Sequence, residues 1–195
     1  PENVDNKNIA LFLGPNFHQV IYPLNSSGDL NFIAIMKHAL SLNEQGNYSL
    51  FSESSFINKI LENVPHEFKE FFADIKELKI FPVFVSDKFL KIQNNNIHLI
   101  GDAFFAFPPS FAQGASQSIE GAYELFESIE KNMENTYFKN RASKTKMVNI
   151  RSKLNQFAFH LSNPLTRFFR NFFLKRLVKN KKFLESYLGK IYRKH

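Results

Sequence analysis

The sequence predicts an α+β chain, and three observations predict it. Before residue 40, short apolar runs are broken by Gly, Pro and Asn at the spacing of antiparallel strands. From residue 114 onward, apolar residues recur every three or four positions, the period of helices. Between these regions a strand-like run ends in Gly-Asp and leads through a proline-containing loop into a helix. With 195 residues the chain suffices for one sizeable domain or parts of two.

The elements follow in order. Residues 9–13, IALFL, and 17–22, FHQVIY, read as two strands, with GPN between them as a tight turn. Residues 30–37, LNFIAIMK, read as a third strand after the turn NSSGD. A helix is predicted over about 53–63 from Phe56, Ile57, Ile60 and Leu61. A second, over about 65–75, rests on Phe68, Phe71, Phe72 and Ile75, with Pro65 in its first turn, where a missing N–H costs nothing. Residues 78–85, 88–92 and 97–101 are predicted as strands, Pro82 marking an edge or a bulge and the Asn triplet 94–96 a turn. The helix after Gly114 carries Ile119, Ala122, Leu125, Phe126 and Ile129 on one stripe. A long basic helix over about 138–161 is expected to turn Met147, Ile150, Leu154, Phe157 and Leu161 inward. A last helix restarts after Ser162-Asn163, either of which can cap it, with Pro164 in first position.

Charge divides the chain. Residues 139–195 carry 16 Lys and Arg against the single acid Glu185, net +15, whereas residues 1–138 carry 9 against 17, net −8. The change of sign marks a change of role near residue 138. Phe is abundant, at 24 residues, and Cys is absent, so there are no disulfides and no Cys-bound metal; no metal is implied. The N-terminal stretch is polar and acidic, unlike a leader, and no apolar run reaches the ~18 residues of a spanning helix. The expected location is the cytoplasm. A chain beginning at Pro1 is expected to be a piece of something longer.

Gly101-Asp102 is the most chemical stretch. Gly101 permits a sharp turn and the close approach of another group. Asp102 can accept hydrogen bonds from hydroxyls, as acidic residues do for ribose in nucleotide folds. Ten or so residues on, a helix opens at Gly114-Ala115, whose first N–H groups favour an anion or an electron-rich oxygen.

Gly101, Asp102 and Ala103, then Pro109, Ala112, Gln113 and Gly114, then Glu120 and Ala122 resemble the second flavin-binding motif of the FAD-dependent aromatic hydroxylases, the para-hydroxybenzoate and salicylate hydroxylase superfamily. The pair LFLGPNFHQVIYPL at 11–24 is similar to that family's substrate-domain strands, NFIAIM at 31–36 to the next strand, and 149–170 more weakly to a later helix. The chain departs from the pattern at Phe105, where the family has His, at Ala106, where it has Pro, and at Gly121, where it has Asp. It also lacks the family's GxGxxG fingerprint and its middle Asp-Gly motif.

The resemblance implies the C-terminal half of an α/β parent whose N-terminal FAD-binding half lies elsewhere. It implies a partial substrate-domain sheet with helices over 1–90, a returning FAD-domain segment over 91–137 and basic closing helices over 138–195. Asp102 would bind the ribityl chain of FAD, with Gly101 at the turn. Pro109, Ala112 and Gln113 would lie beside the flavin ring, and Gly114 and Ala115 would face its N1–C2 edge. NADH or NADPH would reduce the flavin, and one atom of O2 would enter an organic, aromatic-type substrate. His18 and Tyr22, an even number of residues apart, share a strand face, and in the family that face looks at the substrate. His18, as base, and Tyr22 are the candidate catalytic residues; His160 is expected to be structural.

The tail interleaves Phe168, Phe169, Phe172, Phe173 and Leu177 with Arg167, Arg170, Lys175, Arg176 and Lys179. Packing on the missing half is the expectation, and peripheral contact with a membrane is the alternative. Nucleic acid is not an expected partner, since basic charge comes without a recognised motif. Two rival functions remain open: a non-catalytic, degenerate flavoprotein fold serving as a membrane or protein interaction module, and a related flavin reductase or halogenase.

Overall fold

The computed structural model describes residues 7–73, 75, 78–90, 92 and 97–192. It forms two compact units, Pro1–Pro82 with Phe159–Arg167, and Val83–Ala158 with Phe168–His195. The class is mixed α+β.

In the first unit, β1 (Ala10–Gly14), β2 (Phe17–Pro23) and β3 (Leu30–Met36) pair antiparallel in the order β1-β2-β3. Phe17 stands opposite Gly14 and Met36, and His18 opposite Leu13 and Ile35. The first turn puts Asn16 at φ 53°, a left-handed position that Asn tolerates. Phe17 packs with Val64 and Phe68, and Phe12, Met36, Leu61, Phe71 and Phe72 close round them. Helix α1 (Leu42–Gly46) begins with a reciprocal Ser41–Glu44 capping box. Helix α2 (Ser54–Glu62) sends Phe56 and Ile60 into a second cluster with Phe51. The helix predicted over 65–75 is realised as a tight turn at His66–Phe68 and a single α-turn, α3 (Glu70–Ala73).

The strands predicted at 78–85, 88–92 and 97–101 are not formed among the described residues; the Asn turn at 94–96 lies outside them. A strand requires a ladder partner. Here Ser86 N–H donates to Ala106 O (2.9 Å) and Ala106 N–H to Ser86 Oγ (3.0 Å), a bracket where a ladder was expected. Phe89 and Leu99 instead pack on the buried trio Phe104, Phe105 and Tyr137. Asp102 therefore does not end a strand. It sits in the first turn of the short helix α4 (Gly101–Phe104), after an extended Ile100.

Four helices follow: α5 (Gly114–Glu130), α6 (Glu134–Phe159), α7 (Pro164–Leu177) and α8 (Lys181–Tyr192). Asn163 caps α7, its Oδ1 accepting from Leu165 N–H at 2.9 Å, which decides between the two candidate caps.

The face that α6 buries departs in part from the expectation, and α5 turns much of its stripe outward. On α5 Gln117 and Gly121 are buried, while Ile119 is 73% and Phe126 59% exposed. On α6 the buried residues are Tyr137, Arg141, Lys144, Thr145, Val148 and Ser152; of the set expected to face inward, Met147 and Leu161 are half-buried, while Ile150, Leu154 and Phe157 lie outside. The two helices meet through a polar seam. Arg141 Nη1 lies 3.4 Å from Glu120 and 3.3 Å from Glu124, and Nη2 donates to the Gln117 carbonyl and, at 2.9 Å, to its Oε1. Lys144 pairs with Glu120. Periodicity locates an apolar stripe but does not say what it faces, and a seam this fully paired can be buried instead.

Candidate functional site

The Gly101–Ala115 loop lies within the second unit. Gly101 has φ +57°, a backbone that disfavours side chains, and a Cβ built there would stand 2.8 Å from Ser118 Oγ. Gly101 is thus the contact that seats α4 on α5. Pro108 and Pro109 stiffen the loop, Pro109 opening a tight turn that ends at a left-handed Ala112 (φ 50°). Gln113 is the N-cap of α5 without capping it through its side chain, which is buried and accepts from Gln117 Nε2 at 3.4 Å. The first turn of α5 contains no acid. Gly114 and Ala115 therefore present a helix N-terminus with its positive end unopposed from within the helix.

Gly101 and Gly114 line one cavity with Gln117, Ser118 and Arg141, but its volume is about 10 Å³, room for a single water. Asp102, Pro109, Ala112 and Ala115 face outward. A flavin could contact this loop only along its outer surface. The residues suit a flavin there: an exposed carboxylate for hydroxyls and a helix N-terminus for the electron-rich edge of the ring.

Each departure from the hydroxylase pattern has a local use. Phe105 is a core residue, its ring 4.9 Å from that of Phe89 and 5.5 Å from that of Phe107. Ala106 supplies the N–H that Ser86 Oγ accepts, which proline could not. Gly121 makes room for Arg141: a Cβ there would stand 3.1 Å from Nε.

The strand candidates lie within the first unit. His18 is 1% exposed, and its Nδ1 is 2.7 Å from His160 Nε2, so one ring donates its N–H to the lone pair of the other. Phe159 meets the His18 ring edge-on at 5.3 Å. Burial first, and His160 second, push the His18 pKa down to about 4. Burial, then Lys37, lower that of His160. At neutral pH the pair is uncharged and His18 can accept a proton only at some cost. Tyr22, on the same strand face, is half-buried. Reading the sequence singled out His18 without its partner; the spacing of 142 residues carries no local signal.

Beside Phe17 and His18, Gln19 is fully buried, and neither amide atom has a hydrogen-bond partner among the described residues. Among the described residues no group of three or more His, Asp or Glu could hold a metal ion. No helix among them is long and apolar enough to cross a membrane. No protein-family profile matches the chain, and no curated protein is detectably similar to it.

Proposed function

We propose that the chain is the C-terminal part of an FAD-dependent monooxygenase that uses NADH or NADPH and acts on an aromatic or related organic substrate. The observation that carries this reading is the Gly101–Ala115 loop. Its left-handed Gly101 seats against Ser118, and it delivers Asp102 and the N-terminus of α5, which the Gln113 side chain does not cap, to an open surface. The outward apolar stripe of α5 supports it too, since such a stripe suits cover by a further domain. When bound, FAD would supply the redox and oxygen chemistry. Asp102 would accept from the ribityl hydroxyls, and the N–H groups of Gly114 and Ala115 would stabilise negative charge on the ring edge.

The rival reading is a fold of this type without catalysis. It is favoured by the burial of His18 against His160 and by the structural duties of Phe105, Ala106 and Gly121. Purification of the natural polypeptide that carries this chain separates the two. The monooxygenase reading expects a yellow protein with an FAD spectrum and NAD(P)H-dependent O2 uptake stimulated by substrate. A colourless protein that does not take up added FAD overturns it in favour of the rival.

A further inference from the structure

Helix α7 turns its aromatics out and one of its cations in. Phe168, Phe169, Phe172 and Phe173 are all exposed, whereas Arg170 is buried, its Nη1 donating to Ala158 O at 3.4 Å and its Nε to Asn171 Oδ1 at 3.0 Å. The outward face is not purely apolar. Phe168, Phe172, Lys175 and Lys179 follow one another at three- and four-residue steps and are all exposed. Arg176 lies 4.7 Å over the Phe172 ring. No Asp or Glu occurs between Glu134 and Glu185. A protein groove deep enough to bury the Phe rings would have to bury or pair Lys175, Arg176 and Lys179 as well. A lipid interface takes both: the rings enter the acyl boundary while the long cationic side chains reach the headgroups.

We propose that α7 is an interfacial helix that docks on an anionic phospholipid surface through its Phe face and the cations at its C-terminal end. This is independent of the flavin reading and goes against the expectation that the tail packs on a missing half. The natural polypeptide that carries the chain should sediment with vesicles containing about 30 mol % phosphatidylserine, and much less with pure phosphatidylcholine. About 0.5 M salt should release most of it, because headgroup attraction is screened. Phe172→Asp, and separately a triple Lys175→Glu, Arg176→Glu, Lys179→Glu variant, should each lower the bound fraction at least about tenfold with unchanged circular dichroism. Failure to bind the anionic vesicles overturns the proposal, as does equal binding to neutral ones or binding that survives both variants. If vesicles are ignored and Phe172→Asp instead dissociates a dimer, the face belongs to a second copy and the proposal falls.

Discussion

Gly101 and His18 are the positions where single residues have consequences that can be measured. Gly101→Ala forces a side chain into a left-handed backbone and against Ser118. The first effect alone costs about 1–2 kcal/mol, so urea unfolding should show at least that loss. His18 has a folded pKa of about 4 against 6.5 when exposed. Its stabilisation is full above the unfolded value and is lost as pH falls from there through about 4, amounting to roughly 3 kcal/mol. His160 is shifted in the same direction and adds to the slope. Unfolding free energy followed from neutral pH to pH 4 should fall, and His18→Gln should flatten that fall whatever it does to stability at neutral pH. Gln19 tests the opposite case. Both its amide atoms are buried without partners among the described residues, so Gln19→Leu should stabilise the chain by about 1–3 kcal/mol. A loss on that change would mean the amide does find a partner in solution. At this scale the sequence pattern singled out Gly101 for its turn and His18 for its strand face. It held no sign that Phe105, Ala106 and Gly121 carry the local packing.

Among the elements, the three strands were legible because their causes are local: alternation over a few residues and turns built on Asn16 and Gly28, both at positive φ. The strands expected between 78 and 101 were not, because a strand depends on a partner edge that no local pattern reveals. The helices α2, α5, α6 and α7 were legible in place, whereas α1, α4 and α8 were not foreseen and the helix expected over 65–75 shrank to a turn; orientation was not legible for α6. Ile119, Phe126, Ile150 and Phe157 mark a stripe on each helix, yet Arg141 and Lys144 face the neighbour. Arg141 has a side chain only 4% exposed and is bound by Gln117, Glu120 and Glu124. Arg141→Ala would leave Glu120 and Glu124 with Lys144 alone and remove the donor that Gln117 accepts from, and a loss of about 1–3 kcal/mol is expected in denaturant unfolding. Gly121→Ala should also destabilise, despite alanine's better helix propensity, because a clamped guanidinium cannot yield to a Cβ at 3.1 Å.

For the whole molecule the flavin reading makes a separable prediction. Asp102→Ala in the natural polypeptide should weaken FAD by about 1.5–3 kcal/mol, measured by flavin fluorescence on titration, with the fold intact because the side chain is exposed. Unchanged affinity would remove Asp102 from the site. The 195-residue chain alone should bind FAD weakly, since the cavity beside Gly101 holds no more than a water and the loop offers only an outer surface.

The notch at Gly121 has one more consequence. Sliding α6 along α5 by a helical turn would take Arg141 off Gly121, which has no side chain, and break its bonds to Gln117, Glu120 and Glu124. The seam therefore has a single stop, like a key cut for one ward. Two greasy surfaces would slip past each other with little penalty, but this paired seam resists a change of register. The outward stripes of the two helices are thereby held at a set geometry, so a surface that covered them would be selected by shape as well as by hydrophobicity.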